Sequence, residues 1–229
     1  GRASGGRINI RTRAGGNKLR GRAFMFFRDD NLNANSWYNN SRSLPRLPLT
    51  EYVPGFTLNG PIVLPFGEPG PFYDGHNKTF FSIAYEYTDV LDTTFIDTWV
   101  PLSSNPRFPL PAPTTTTCPA TTCTDSSSNP PTAILPFQDL LSTPNRSHIF
   151  TARLDHKFSQ NNDFTFGYQL GRKKNQRTTG ASTARLDDAL QIRNADSDAY
   201  NFTDNHVFGS KAVNQIRGQY SIFQPSFET

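Results

Sequence analysis

The sequence predicts an all-β fold of long antiparallel strands. Three observations lead there. Apolar and polar residues alternate with a period of two in stretch after stretch, aromatic residues make up 13% of the chain with Phe dominant, and no apolar run approaches the ~20 residues of a membrane-spanning helix. The mean hydropathy of −0.57 fits two architectures. A soluble β-sandwich would bury the aromatic register in a core. A portion of an antiparallel transmembrane β-barrel would turn it to lipid and set the polar register toward a hydrated lumen.

The clearest element is "HIFTARLDHKFSQNNDFTFGYQLGRKK". Phe150, Ala152, Leu154 and Phe158 alternate with Thr151, Arg153, Asp155 and Lys157. After the polar "SQNN", Phe164, Phe166, Tyr168 and Leu170 alternate with Thr165, Gly167, Gln169 and Gly171. Two strands near 148–158 and 163–172 joined by a tight turn follow from this pattern. Others are read in turn, after a short one at Gly6–Arg13. The strand near 18–28 carries Phe in both registers, and the one near 52–60 sets Phe56 and Leu58 against Thr57 and Asn59. Near 78–88, Phe81, Ile83, Tyr85 and Tyr87 oppose Ser82, Ala84, Glu86 and Thr88. Asp204 interrupts the register of the strand near 198–208, whereas 213–223 places Ile216, Tyr220 and Ile222 away from Gln215, Arg217, Gln219 and Ser221.

Strands of about ten residues match the ~9–11 needed for a tilted bilayer crossing and exceed the ~5–6 usual in soluble sheets. The connections also divide. Asn31–Glu51, the long loop 93–147 and Lys173–Ser197 are extended and polar, "GPIVLPFGEPGPFYDGHN" is moderate, and "SQNN" and "GSKA" are tight. Long loops on one side and short turns on the other favour the barrel.

The net charge of +4 is concentrated early, in Arg2, Arg7, Arg11, Arg13, Lys18, Arg20 and Arg22. A nucleic-acid-binding arm is one reading of such a segment. Against it, Ile8, Ile10 and Thr12 alternate with the charges as in a strand, and no stacking platform follows, so no nucleic-acid partner is expected. Cys118 and Cys123 sit in a Thr/Pro/Ser loop that offers no further zinc ligands, and a local disulfide in an oxidising compartment is favoured over free thiols. No catalytic constellation is found. His76, His148, His156 and His206 are scattered, Asp155 and His156 point to opposite faces of one strand, and Asp187–Asp188 read as solvated loop acids. The expectation is a non-enzyme without a cofactor.

Ordered words along the chain carry a resemblance. "SGGRINIRTRAGGNKLRGRAFMFFRDDNLNANSWY" resembles the junction between plug and barrel in TonB-dependent outer-membrane receptors of the Oar-like branch. "GFTLNGPI", "HNKTFFSIAYE", the 148–169 hairpin and "AVNQIRGQYS" are similar to successive barrel strands of that family, with Asn59 replacing a common Gly. Arg11 and Arg13 make the plug strand more basic than the family pattern.

The resemblance implies a fragment: residues 1–16 as the end of a plug, and 17–229 as about seven strands of a roughly 22-stranded barrel. It implies that Phe81, Ile83, Tyr85, Phe150, Leu154, Phe164, Phe166, Tyr168 and Tyr220 face lipid. Arg153, Asp155, Lys157, Gln169, Arg217 and Gln219 would face the lumen. The implied location is the bacterial outer membrane. The implied partners are outer-membrane lipid, the TonB energy-coupling complex through an N-terminal region outside this chain, and an unspecified bulky nutrient. The alternative function is a secreted or surface β-sheet module that binds glycans or adhesion partners.

Overall fold

The computed structural model describes residues 14–65, 72–101, 124–125, 132–178 and 191–228. In chain order the strands are β1 (Arg20–Asp29), β2 (Thr50–Pro61), β3 (Val63–Leu64), β4 (Tyr73–Asp74), β5 (Thr79–Leu91) and β6 (Thr93–Pro101). They continue as β7 (Thr124–Asp125), β8 (Thr132–Ser142), β9 (Asn145–Ser159), β10 (Asn162–Thr178), β11 (Gln191–Phe208) and β12 (Ala212–Glu228).

Seven of them form one antiparallel sheet in the order β1-β2-β5-β9-β10-β11-β12, so each strand of the sheet lies beside the next in sequence. This is an up-and-down meander with open edges at β1 and β12, and all seven expected long strands are present. Three run well past their expected ends, with β10 reaching Thr178, β11 starting at Gln191 and β12 ending at Glu228. Charged and polar residues at these ends hid the extensions, because the ladder continues where the apolar alternation has stopped. The short N-terminal strand expected at Gly6–Arg13 lies outside the described residues, as do Cys118, Cys123, Asp187 and Asp188.

The stretch 93–147 corrects the expectation of a long loop. It holds β6 and β8 paired as an antiparallel hairpin, with β7 on the outer edge of β8, and β9 already begins at Asn145. Ile96 and Leu141 are buried there with Phe137 packed against them. Pro-rich flanks and Pro136 within β8 masked this alternation in the sequence. The first long connection is also structured. Ser36 caps a short helix, Trp37–Ser41, by accepting a hydrogen bond from the Asn39 amide at 3.1 Å. Arg46 holds the loop together by donating to the Asp30 and Asn33 carbonyls at 2.7 and 2.8 Å. Leu44, Leu47, Phe95 and Leu140 then line a recess of about 120 Å³ between this loop and the β6–β8 hairpin.

The main sheet has no core of its own. Among the described residues the buried apolar side chains are Ile96, Leu141, Ala195 and Pro61, and none belongs to the aromatic register of the sheet. Phe56, Phe166, Phe202 and Tyr220 in that register are 38–65% exposed, and no second sheet packs over them among the described residues. A sandwich would cover this face with another sheet about 10 Å away.

Two cross-strand pairs set an aromatic ring over a glycine. Phe24 lies opposite Gly55, and Phe202 opposite Gly218. A Cβ on Gly55 would fall 2.3 Å from the Phe24 ring and 2.8 Å from the Tyr85 carbonyl oxygen, and the backbone atom cannot swing aside. Gly55→Val is therefore expected to destabilise the folded protein by about 1–3 kcal/mol, as overpacking does. Gly171→Ala, which meets only the mobile Ser197 hydroxyl, is expected to cost much less. Urea titrations read by heat-modifiable gel mobility compare the two.

Candidate functional site

Register decides which side chains share a face, because directly opposed residues in an antiparallel pair point the same way. Phe166 lies opposite Leu154 and Phe202, and Leu154 opposite Phe81. Tyr168 lies opposite Ala152 and Tyr200, Ala152 opposite Ile83, and Tyr200 opposite Tyr220. Phe150 faces Tyr85 and Leu170, while Phe164 alternates in step with Phe166. All nine residues expected to face lipid thus occupy one face. Asp155 lies opposite Thr165, Arg153 opposite Gly167, Gln169 opposite Thr151 and Lys157 opposite Asp163. Arg217 joins them through Thr203, and Gln219 through Asn201. All six residues expected to face the lumen occupy the other face.

The aromatic face is banded. Tyr220, Tyr200, Tyr168, Phe150, Tyr85 and Phe56 run across six neighbouring strands, with ring centroids 6.5 Å apart for Tyr200–Tyr220, 4.9 Å for Tyr168–Tyr200, 6.3 Å for Phe150–Tyr168 and 6.0 Å for Phe56–Tyr85. On the long-loop side of this band the same face turns ionic. Arg146 pairs with Asp89 at 3.0 Å, Arg172 with Asp198 at 2.8 Å, and the Tyr168 hydroxyl donates to Asp198 at 2.6 Å. On the short-turn side it ends in imidazoles and amides, where His156 bonds Thr79 at 2.7 Å and His206 bonds Asn162 at 2.7 Å. Asp204, opposite Phe164 and Ile216, belongs to this lower margin. Along β10 the interval from Asn162 to Arg172 is about 33 Å of strand at ~3.3 Å per residue. Tilted by ~40°, it gives an apolar band about 25 Å tall, the height of an outer-membrane barrel's lipid belt.

The polar face carries a compact network. Arg153 grips Asp155 with Nε and one terminal nitrogen at 2.7–3.1 Å, and the Thr165 hydroxyl donates to the same carboxylate at 2.7 Å. Arg153 and Asp155 sit two residues apart on one strand, so alternation itself puts them side by side. Asn201 folds over Gly167, the small residue directly opposite it. Toward the open edge, Arg28 meets Glu51 at 3.0 Å.

A segment entering β1 lies across this polar face near the short-turn end. Gly15 approaches β5 so closely that a Cβ would stand 2.5 Å from the Phe81 carbonyl oxygen. Asn17 accepts from the Asn77 amide at 2.7 Å and donates to the Asn77 side chain at 2.5 Å. Asn77 has φ of 62°, the left-handed conformation that Asn tolerates better than most residues. A cavity of about 870 Å³ opens beside the segment, reached by Ala14, Lys78, Asp155, Lys157 and Thr165. Nearby, the His76 backbone amide and then its ring hold the Asp74 carboxyl below the usual carboxylate range. Sequence reasoning missed Gly15, Asn17 and Asn77 as a contact, since residues 60 apart in the chain leave no local signal. Among the described residues, no cluster of three or more His, Cys, Asp or Glu could hold a metal ion.

A family model described as "Outer membrane beta barrel domain" matches residues 11–229. The chain belongs to that family. It is accordingly an outer-membrane β-barrel protein of the bacterial outer membrane, of which this chain forms an open portion of the barrel wall. The match begins at residue 11, within the segment that the sequence reading assigned to a plug. No curated protein and no solved structure matches the chain. In the barrel wall, the two Asn17–Asn77 hydrogen bonds hold the crossing segment. Asn17→Ala is expected to weaken its docking by about 1–3 kcal/mol, the usual worth of one or two such bonds. A cysteine placed at Ala14 should then react with a soluble maleimide at least several-fold faster than in the Asn17 background. Equal rates would show that these bonds do not hold it.

Proposed function

We propose that the chain is the first part of the barrel of a TonB-dependent outer-membrane receptor of the Oar-like branch, which takes up a bulky nutrient by energy coupling. The observation that carries this reading is the crossing segment. A plug must enter a barrel from its short-turn end and lie against its polar wall, and the contacts of Gly15 and Asn17 with the polar face near that end support this reading. The ordered resemblance of the strand words, from "INIRTRAGGN" to "AVNQIRGQYS", supports the same family.

In this reading the aromatic face meets lipid and the polar face meets water and plug. The Arg153–Asp155–Thr165 network then belongs to the wall that the plug rests on. Long connections lie outside the cell and short turns in the periplasm. The ordered β6–β8 hairpin and the loop 30–49 packed on it are the external capture surface. TonB-type machinery acts on the plug, and the role is transport without catalysis or a cofactor.

Phe166 and Gln169 test the orientation, because they lie on the same strand and opposite faces. Arg near the midplane of the lipid face costs about 2–4 kcal/mol, whereas the hydrated interior accepts it. Phe166→Arg is expected to abolish or sharply reduce membrane assembly, and Gln169→Arg to assemble normally, both read by heat-modifiable mobility of outer-membrane fractions. Equal tolerance of the two would reverse the reading. For uptake, deleting 93–142, which spares β9, should abolish nutrient-dependent growth while leaving the barrel assembled.

A further inference from the structure

Near the long-loop end, the polar face of β10–β12 holds a recess of about 290 Å³. Its floor is made of small residues, Ala195 (6% exposed) and Ser197, and its walls of Lys173, Arg193 and Phe223. Three rungs of the ladder build it: Ser197 opposite Phe223, Ala195 opposite Pro225 and Arg193 opposite Phe227. Alternation sends Arg193, Ala195 and Ser197 to one face, and Lys173, opposite Ala195, joins them from β10. The register slips between Lys173 and Gln176, an irregularity of the kind that re-aims side chains at functional edges.

Two features of this recess call for a ligand. Among the described residues that line it, its two cations have no carboxylate. The nearest acids in sequence, Asp196 and Asp198, point to the opposite face and pair with Arg172. The Arg193 guanidinium lies over the Phe227 ring at 5.7 Å, and its Nε is buried without a hydrogen-bond partner. A buried donor left unpaired is uncommon in native structures, and here it belongs to a guanidinium with no counter-ion among the described residues lining the recess. Guanidinium and ammonium donors aimed at one space suit the oxygens of a carboxylate or phosphate. Phe223, 60% exposed, adds an apolar wall beside them. The volume lies at the small end of the ~300–1,000 Å³ range of ligand pockets, enough for an end group rather than a whole bulky solute.

We propose that this recess is an oxyanion-binding subsite near the outer mouth of the barrel, taking a carboxylate or phosphate borne on a small apolar group. It rests on the polar face being the wet interior, because on a lipid-facing surface no soluble anion would reach it.

Calorimetric titration of the intact protein in lipid nanodiscs tests this, with benzoate, phenyl phosphate and benzyl alcohol as probes. At least one anionic probe should bind about tenfold or more tightly than benzyl alcohol, the effect of a charge-assisted hydrogen bond. Arg193→Gln and Lys173→Gln should each weaken that binding by a similar factor, and Ala195→Leu, which fills the floor and keeps both cations, should abolish it. Each variant is read only where heat-modifiable mobility shows an assembled barrel, and the exposed Lys173 keeps the charge test available if Arg193→Gln does not assemble. Absence of binding, equal affinity for the neutral probe, or unchanged affinity in the variants would overturn the subsite. A bimane label at Phe166→Cys, quenched by brominated lipid, separates this from the larger reading. Quenching with silent titrations removes the subsite alone; no quenching removes the orientation and the subsite together.

Discussion

Pairing of the backbone is the constraint from which the rest of this structure follows. In hydrocarbon no water is available to an open N–H or C=O, so a chain that crosses with strands must pair each strand along its whole crossing length. The seven-stranded meander does this with the simplest topology, each strand of the sheet hydrogen-bonded to the next in sequence over ten to seventeen register positions. Once the register is set, a one-residue slip would carry every aromatic residue to the polar face. The aromatic band, its ionic upper margin and its imidazole lower margin are therefore consequences of one ladder rather than separate features.

A second consequence concerns stability. A single-layer sheet has nothing to bury its faces against, and the buried apolar side chains among the described residues lie off its aromatic face. In the proposed orientation, lipid is the missing layer on that face. On the polar face, the Arg153–Asp155–Thr165 network, the Asn201 side chain over Gly167 and the Asn17–Asn77 contact provide local order without a hydrophobic core. Close approach of Gly15 to β5 allows the crossing segment to lie flat against the wall, which a larger residue would hold off.

Beyond the membrane band the same ladder is put to another use. β10, β11 and β12 continue past Arg172 and Asp198 as paired strands, and β6 and β8 form a hairpin of their own. Among the described residues, this end of the sheet is built on paired strands. Side chains at fixed rungs, such as Lys173, Arg193 and Phe223, can then be held around one recess.

By itself the sequence determined the fold class, the seven long strands and which residues share a face where the alternation is clean, because a period of two in "FTARLDHKF" and "FTFGYQL" is a local property that any paired strand must express. It also marked which connections are long and which are tight. It did not disclose that β10 and β11 run on through "RKKNQRT" and "QIRNADS", where polar residues fill both registers and alternation falls silent. Nor did it show the β6–β8 hairpin, whose pairing of Phe95 with Leu140 spans a Pro- and Thr-rich insertion. The crossing of Gly15 and Asn17 over β5, and the grouping of Lys173, Arg193 and Phe223 from three strands, were decided only by tertiary structure. Such contacts depend on which strands become neighbours and in what register, and no stretch of sequence short enough to show a period contains that information.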